Sequence, residues 1–218
     1  MRILAVADVH RDEAHIAMFR EMLVRERPDV VVAAGDLGHC HREAEKLIEA
    51  IEASGLPFLF VTGNHEREPH AHERLRRNPK AVWLDEQVIL LDGVVFIGIG
   101  YAEAACIGRS CGIEIRSRLD TLAKQLDELD PVIRDSAPMV LVTHEPPRAW
   151  HRDGNKHIDL FAAQHGIKTI ICGHLHVRQP SVRETEHFLV VNPGPMGLML
   201  AIDSDGILAV EQPGRGQP

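Results

Sequence analysis

Five short polar clusters hold the residues best suited to chemistry in this chain: Asp8-Val9-His10, Gly35-Asp36, Gly63-Asn64-His65-Glu66, Thr143-His144 and Gly173-His174-Leu175-His176. They offer hard carboxylate oxygens, one amide oxygen and several imidazoles, a donor set that suits manganese, iron, zinc or nickel better than magnesium or calcium alone. The chain has 14 histidines, and because imidazole is the commonest metal ligand this excess asks for a chemical reason. No cysteine falls within the clusters, which argues against a structural zinc site. Alternate residues of an extended segment share a face, so Asp8 with His10, and His174 with His176, can each present two ligands in one direction. Any one of these residues alone is better explained by strand-end turn chemistry; five such clusters in series point to a metal centre.

The elements that must position them follow from the apolar pattern. Arg2 to Ala7 reads as a short buried strand ending in Asp8, and a helical pattern from Ala14 to Arg27 stops before Pro28. Val30 to Ala34 is a second strand ending in Gly35-Asp36, His41 to Ser54 is helical, and Pro57 to Val61 is a third strand leading into Gly63-Asn64-His65. Three βα units in succession imply parallel strands with right-handed crossovers. Asp92-Gly93, between the apolar runs Gln87–Leu91 and Val94–Gly98, is a two-residue hairpin signal. Helical spacing returns over Glu114 to Leu129 and near Ile158 to His165, while Met139–Thr143 and Thr169–Cys172 read as strands. A second hairpin at Asp205-Gly206 joins two late strands. Every cluster thus sits at the carboxyl end of a strand, which is where open α/β sheets bind ligands.

Length and composition bound the alternatives. At 218 residues, with 44% hydrophobic and 26% charged, the chain can bury a core and is expected to form one domain over residues 1–211, followed by a flexible tail, 212–218. No segment nears the ~18 consecutive apolar residues of a membrane span, and Ile3 to Ala7 is too short for a signal-peptide core, so a cytoplasmic protein without membrane association is expected. A net charge of −8 argues against duplex nucleic acid as a constitutive partner. The four cysteines, Cys40, Cys106, Cys111 and Cys172, read as reduced thiols, and the Cys106/Cys111 loop as functionally silent.

The clusters taken in order, D-x-H, G-D, G-N-H-E, H and G-H-x-H, resemble the calcineurin-like metallophosphoesterase family. The resemblance extends to Thr143-His-Glu-Pro-Pro147 and Asn192-Pro-Gly194. It implies an α/β fold, a four-layer αββα sandwich of two mixed β-sheets flanked by helices. It implies one metal held by Asp8, His10, Asp36 and His176, and a second held by Asp36, Asn64, His144 and His174, with Asp36 bridging. The cofactors expected are two divalent transition-metal ions, manganese first among them and iron, zinc or nickel as alternatives. Two dications offset by two carboxylates and a hydroxide leave the site net positive, so a small phosphorylated substrate is the expected partner. The implied reaction is hydrolysis of a phosphate ester by in-line attack of a dimetal-bridging hydroxide. His65 would protonate the leaving oxygen.

The chain departs from the phosphomonoesterase pattern at His39, where Gly35-Asp-Leu-Gly-His39 replaces G-D-x-x-D. G-D-x-x-H resembles the phosphodiesterase and nuclease branch, in which a second histidine faces the substrate, so the reading leans slightly toward phosphodiesters with His39 as a second catalytic residue. Glu66 is a candidate to replace the missing acid that orients His65. Arg109 and Arg148, in loops after strands, are candidates to bind substrate phosphate, and Trp150 either stacks on a leaving group or packs in the core. The competing function is a non-catalytic metal-binding scaffold of the kind the retromer metallophosphoesterase-like subunit provides, but that subunit lacks the catalytic histidine and this chain keeps His65.

Overall fold

The structure is a computed structural model, and it describes residues 1–10, 12–38, 45–66, 73–100, 111–203 and 206–211. Its first half runs β1 (Arg2–Val6), α1 (Glu13–Glu26), β2 (Val30–Ala34), α2 (Glu45–Ser54), β3 (Phe58–Val61), α3 (Glu73–Arg77) and β4 (Ala81–Trp83). The chain continues through β5 (Gln87–Leu91), β6 (Val94–Ile99), α4 (Cys111–Asp127), α5 (Pro131–Ser136), β7 (Met139–Thr143), α6 (Lys156–Gln164) and β8 (Thr169–Ile171). It closes with β9 (Ser181–Glu184), β10 (Leu189–Asn192), β11 (Leu198–Asp203) and β12 (Gly206–Glu211).

Two six-stranded sheets result. The first has the order β12-β11-β1-β2-β3-β4, with β1 to β4 parallel and β11 and β12 antiparallel; the second has the order β5-β6-β7-β8-β10-β9. In the second sheet β6, β7, β8 and β10 run parallel, and β5 and β9 are antiparallel edges. Alternation along each strand divides the side chains between layers. Ile3, Ala5, Val30 and Val32 meet Phe96, Val140, Val142 and Val191 between the sheets, while Leu4, Val6, Val31 and Ala33 turn outward to Phe19 of α1 and to Leu47 and Ile51 of α2. On the far side Ile97, Leu141 and Ile170 pack against Leu122 of α4 and Phe161 of α6. The architecture is the αββα sandwich expected, with β2 buried at every residue as a central parallel strand requires.

The expected elements differ from the observed ones at specific places. Helix α1 begins at Glu13 because the Asp12 carboxylate accepts from the amides of Ala14 and His15, at 2.9 and 3.1 Å. The long helix expected to reach Leu129 ends at Asp127, and a separate short helix, α5, follows with Asp130 capping the Val132 amide and Pro131 opening it. Asp92 and Gly93 take φ of 46° and 81°, the positive values that a tight two-residue turn between β5 and β6 requires. No helix among the described residues is long and apolar enough to cross a membrane. Residues 212–218, Cys40 and Cys106 lie outside the described residues.

Candidate metal centre

Strands β1, β2 and β3 run side by side in parallel, so the turns after them, carrying Asp8 and His10, Asp36, and Asn64 and His65, emerge at one edge of the first sheet. Strands β7 and β8 bring His144, His174 and His176 to the same edge of the second. The two groups are joined across the sandwich: His144 Nδ1 lies 2.7 Å from the Ala34 carbonyl, and the His174 amide donates to Asp8 Oδ1 at 3.0 Å. Four of these residues, Asp8, His10, Asp36 and His174, have positive φ of 57°, 48°, 52° and 69°. For residues other than glycine such backbone costs energy, and its concentration at one edge marks a functional region. Gly63 is required by close approach, because a Cβ there would collide with Asp36 Oδ1.

The candidate donor atoms fall into two subsets. Asp8, His10, Asp36 and His176 each offer an atom within 4.8 Å of the others. Within this set His10 Nε2 and His176 Nε2 stand 2.9 Å apart. In the second subset, Asn64 Oδ1 lies 3.0 Å from His144 Nε2 and 2.9 Å from His174 Nδ1. Asp36 Oδ2 lies between the subsets, 3.7 Å from His10 Nε2 and 3.5 Å from His144 Nε2.

Several features fit these residues to cations. Asp8 Oδ2 is buried without a hydrogen-bond partner among the described residues, a costly state for a carboxylate oxygen unless a positive group reaches it. His144, whose side chain is fully buried, has Nδ1 2.7 Å from Ala34 O, which leaves Nε2 as the nitrogen facing Asn64 and Asp36. Burial, with His144 next to it, holds the His174 imidazole down to about 4, so it is neutral, as a ligand must be, at ordinary pH. Burial pushes the Asp8 carboxyl up, against the pull of His144, the His174 amide and His176. Burial acts the same way on Asp36, but the hydrogen bond and charge of His144, the His65 amide and His10 outweigh it and bring Asp36 down to about 2.

His65 is half-buried beside this group. Its amide donates to Asp36 Oδ1 at 2.9 Å, and its ring meets the His10 ring edge-on, with centroids 5.0 Å apart. Glu66 is only 4% exposed, and its carboxylate accepts hydrogen bonds from backbone amides. Its Oε2 accepts from Asp36 N at 3.1 Å and Gly63 N at 2.9 Å, and its Oε1 from Gly38 N at 2.8 Å, so it ties the loops after β2 and β3 together. Arg148 is exposed, and its amide donates to Asp159 Oδ2 at 2.7 Å. Trp150 packs against the outer core of the second sheet, which favours the packing alternative. Asn155, which the sequence reading passed over, donates to Glu145 Oε2 at 3.1 Å and braces the residue after His144. Its signal was a small polar residue capping α6. His39 and Arg109 lie outside the described residues.

Residues 1–178 match the model of the calcineurin-like phosphoesterases. The chain belongs to that family. Its relatives include a probable cyclic nucleotide phosphodiesterase of Synechococcus sp., 26% identical over 166 residues, a match covering 71% of this chain and 60% of that relative. The glycerophosphodiester phosphodiesterase GpdQ of Enterobacter lignolyticus is 25% identical over 169 residues, 70% of this chain and 58% of its own. The matched region is thus about three fifths of the length of these curated relatives. In fold, the crystal structure of TT1561 of Thermus thermophilus superposes with a TM-score of 0.72 at 15% identity, covering 91% of this chain and 93% of that one. The family match contains all five polar clusters.

Proposed function

We propose that the protein hydrolyses a small phosphodiester with two divalent transition-metal ions bound at the strand-end clusters. The observation that carries the reading is the position of Asp36 Oδ2, facing His10 Nε2 at 3.7 Å on one side and His144 Nε2 at 3.5 Å on the other. Asp8, His10, Asp36 and His176 would hold one ion, and Asp36, Asn64, His144 and His174 the other, with manganese first among the candidates. When bound, two such ions supply an acidified water as nucleophile and positive charge that holds and polarises a phosphate.

The chain's own residues do the rest. Asp36 keeps its carboxylate ionised, and its Oδ1 fixes the His65 backbone through the 2.9 Å bond to that amide. His65 gives a proton from its imidazolium to the leaving oxygen as the ester bond breaks. His10, edge-on to the His65 ring, limits where that ring can stand. The diester preference draws on the G-D-x-x-H pattern ending in His39 and on the phosphodiesterase names of the two relatives. A cyclic nucleotide and a glycerophosphodiester are therefore the first physiological compounds to assay.

The test compares bis-p-nitrophenyl phosphate with p-nitrophenyl phosphate, using protein stripped by chelation and then reloaded with manganese. Metal-dependent cleavage with the diester preferred is the expected result, and His39→Ala should lower diester turnover more than monoester turnover. Protein that binds two metal ions and cleaves neither ester would overturn the reading in favour of a binding scaffold.

A further inference from the structure

Asp85 lies between β4 and β5, where the chain leaves the first sheet for the second. Its carboxylate takes both donors of a single residue: Thr62 N reaches Oδ1 at 3.1 Å, and Thr62 Oγ1 donates to Oδ2. Thr62 is the first residue after β3, and Gly63, Asn64 and His65 follow it directly. On its other side the carboxylate is backed by Gly100, the residue after β6; a Cβ on Gly100 would collide with both carboxylate oxygens. That backing is itself fixed from the helix layer, because Arg118 of α4 donates to the Gly100 carbonyl at 3.1 Å and to Glu86 Oε1 at 2.8 Å. The root of the turn that carries His65 is therefore clamped to the opposite sheet by a carboxylate that belongs to none of the five clusters.

We propose that Asp85 is a positioning residue for His65, setting through Thr62 where the His65 imidazole stands beside the reacting ester. The proposal rests on the reading of His65 as the proton donor. Asn64 shares the turn, but its side-chain oxygen is held independently, within 3.0 Å of His144 Nε2 and 2.9 Å of His174 Nδ1. His65 sits one residue farther along, its amide on Asp36 Oδ1 at 2.9 Å and its ring edge-on to that of His10 with centroids 5.0 Å apart. A shift at Thr62 thus reaches the His65 backbone through Gly63 and Asn64. Misplacement of a reacting group by about 1 Å costs up to ~10²-fold in rate.

This geometry separates positioning from mere stabilisation. Loss of Asp85 should slow esters whose leaving oxygen needs a proton and spare those whose leaving group departs unaided. The variants are Asp85→Ala, Asp85→Asn and Gly100→Ala, each assayed with manganese on a diester with an alkyl leaving group and on bis-p-nitrophenyl phosphate. Asparagine offers an acceptor to Thr62 N and a donor to Thr62 Oγ1, whose hydroxyl can turn to accept, so it should rescue. We expect Asp85→Ala to lower kcat on the alkyl diester by about tenfold or more, with KM changed by less than about twofold and the p-nitrophenyl rate nearly kept. Gly100→Ala, whose Cβ would collide with both carboxylate oxygens while Asp85 itself is kept, should reproduce this split, and Asp85→Asn should restore most of the rate.

Hydrogen exchange of the amides of residues 62–66 in metal-stripped protein gives a readout independent of turnover. Exchange there should speed in Asp85→Ala and not in Asp85→Asn. Equal losses on both esters, or Asp85→Asn as impaired as Asp85→Ala, would overturn the proposal and leave Asp85 a purely structural residue. Wild-type protein inactive on both esters would instead overturn the functional reading, and the exchange result alone would then decide whether Asp85 holds the turn.

Discussion

The Glu66 carboxylate, on the turn after β3, accepts a hydrogen bond from the Asp36 backbone amide on the turn after β2, 3.1 Å away. The same oxygen takes the Gly63 amide and its partner oxygen the Gly38 amide, so one buried carboxylate satisfies three backbone donors from two loops. Glu66→Gln would aim an NH2 group at an N–H that needs an acceptor. A buried donor left unsatisfied costs about 1–3 kcal/mol. The variant should unfold at lower denaturant by that amount and bind manganese more weakly, as chemical denaturation and titration calorimetry would read. Unchanged stability and metal affinity would contradict the role given to Glu66.

Removing the shared ligand should be more damaging to metal loading. Asp36→Ala is expected to abolish turnover and to reduce bound manganese from two ions per chain to fewer, measured by elemental analysis after gel filtration. The rise in melting temperature on adding manganese, which reports binding to the folded state alone, should shrink in parallel. Full occupancy with normal turnover would exclude Asp36 as the bridge.

His65→Ala should leave both ions bound and lower turnover by ~10²–10⁴, the range for losing a positioned proton donor. Esters with good leaving groups should lose least. A loss independent of leaving group would assign His65 to substrate binding instead.

The metal-stripped protein should weaken in mild acid through His174. Its folded-state value, held at about 4 by burial and by His144, is below its ordinary 6.5, so the unfolded chain takes up the proton first. The stability this contributes is complete above 6.5 and is lost as pH falls from there toward about 4. Denaturation midpoints followed from neutral pH down to about 4 should therefore fall less in His174→Gln than in wild type. Parallel curves for the two proteins would refute the assignment.

The turns that carry the candidate donor atoms were legible because each follows an apolar run of parallel-strand type and each carries donors of metal-binding character, as at Val30–Ala34 before Gly35-Asp36. What escaped were features defined by partners distant in sequence. Ser181–Glu184 is a strand only because β10 pairs with it; three of its four residues are exposed and show no alternation. Asp85 looks like an ordinary turn residue until Thr62, 23 residues earlier, is seen to bond to it. Glu66 invited a role beside His65 because they are adjacent, whereas its carboxylate reaches back 30 residues to Asp36. Spacing within one segment reveals which residues share a face, but not which distant loop that face will meet.

The bonds from His144 to Ala34 and from Asp8 to the His174 amide mean that the centre lies on the seam between the sheets. Asp8, His10, Asp36 and Asn64 arrive with the first sheet, and His144, His174 and His176 with the second. An ion bound by both groups would act as a removable cross-link between two layers otherwise joined by apolar contact and by hydrogen bonds such as these. Chelation would then cut the staple without altering a single residue, and the rate at which the sandwich opens would become a property set by free metal concentration.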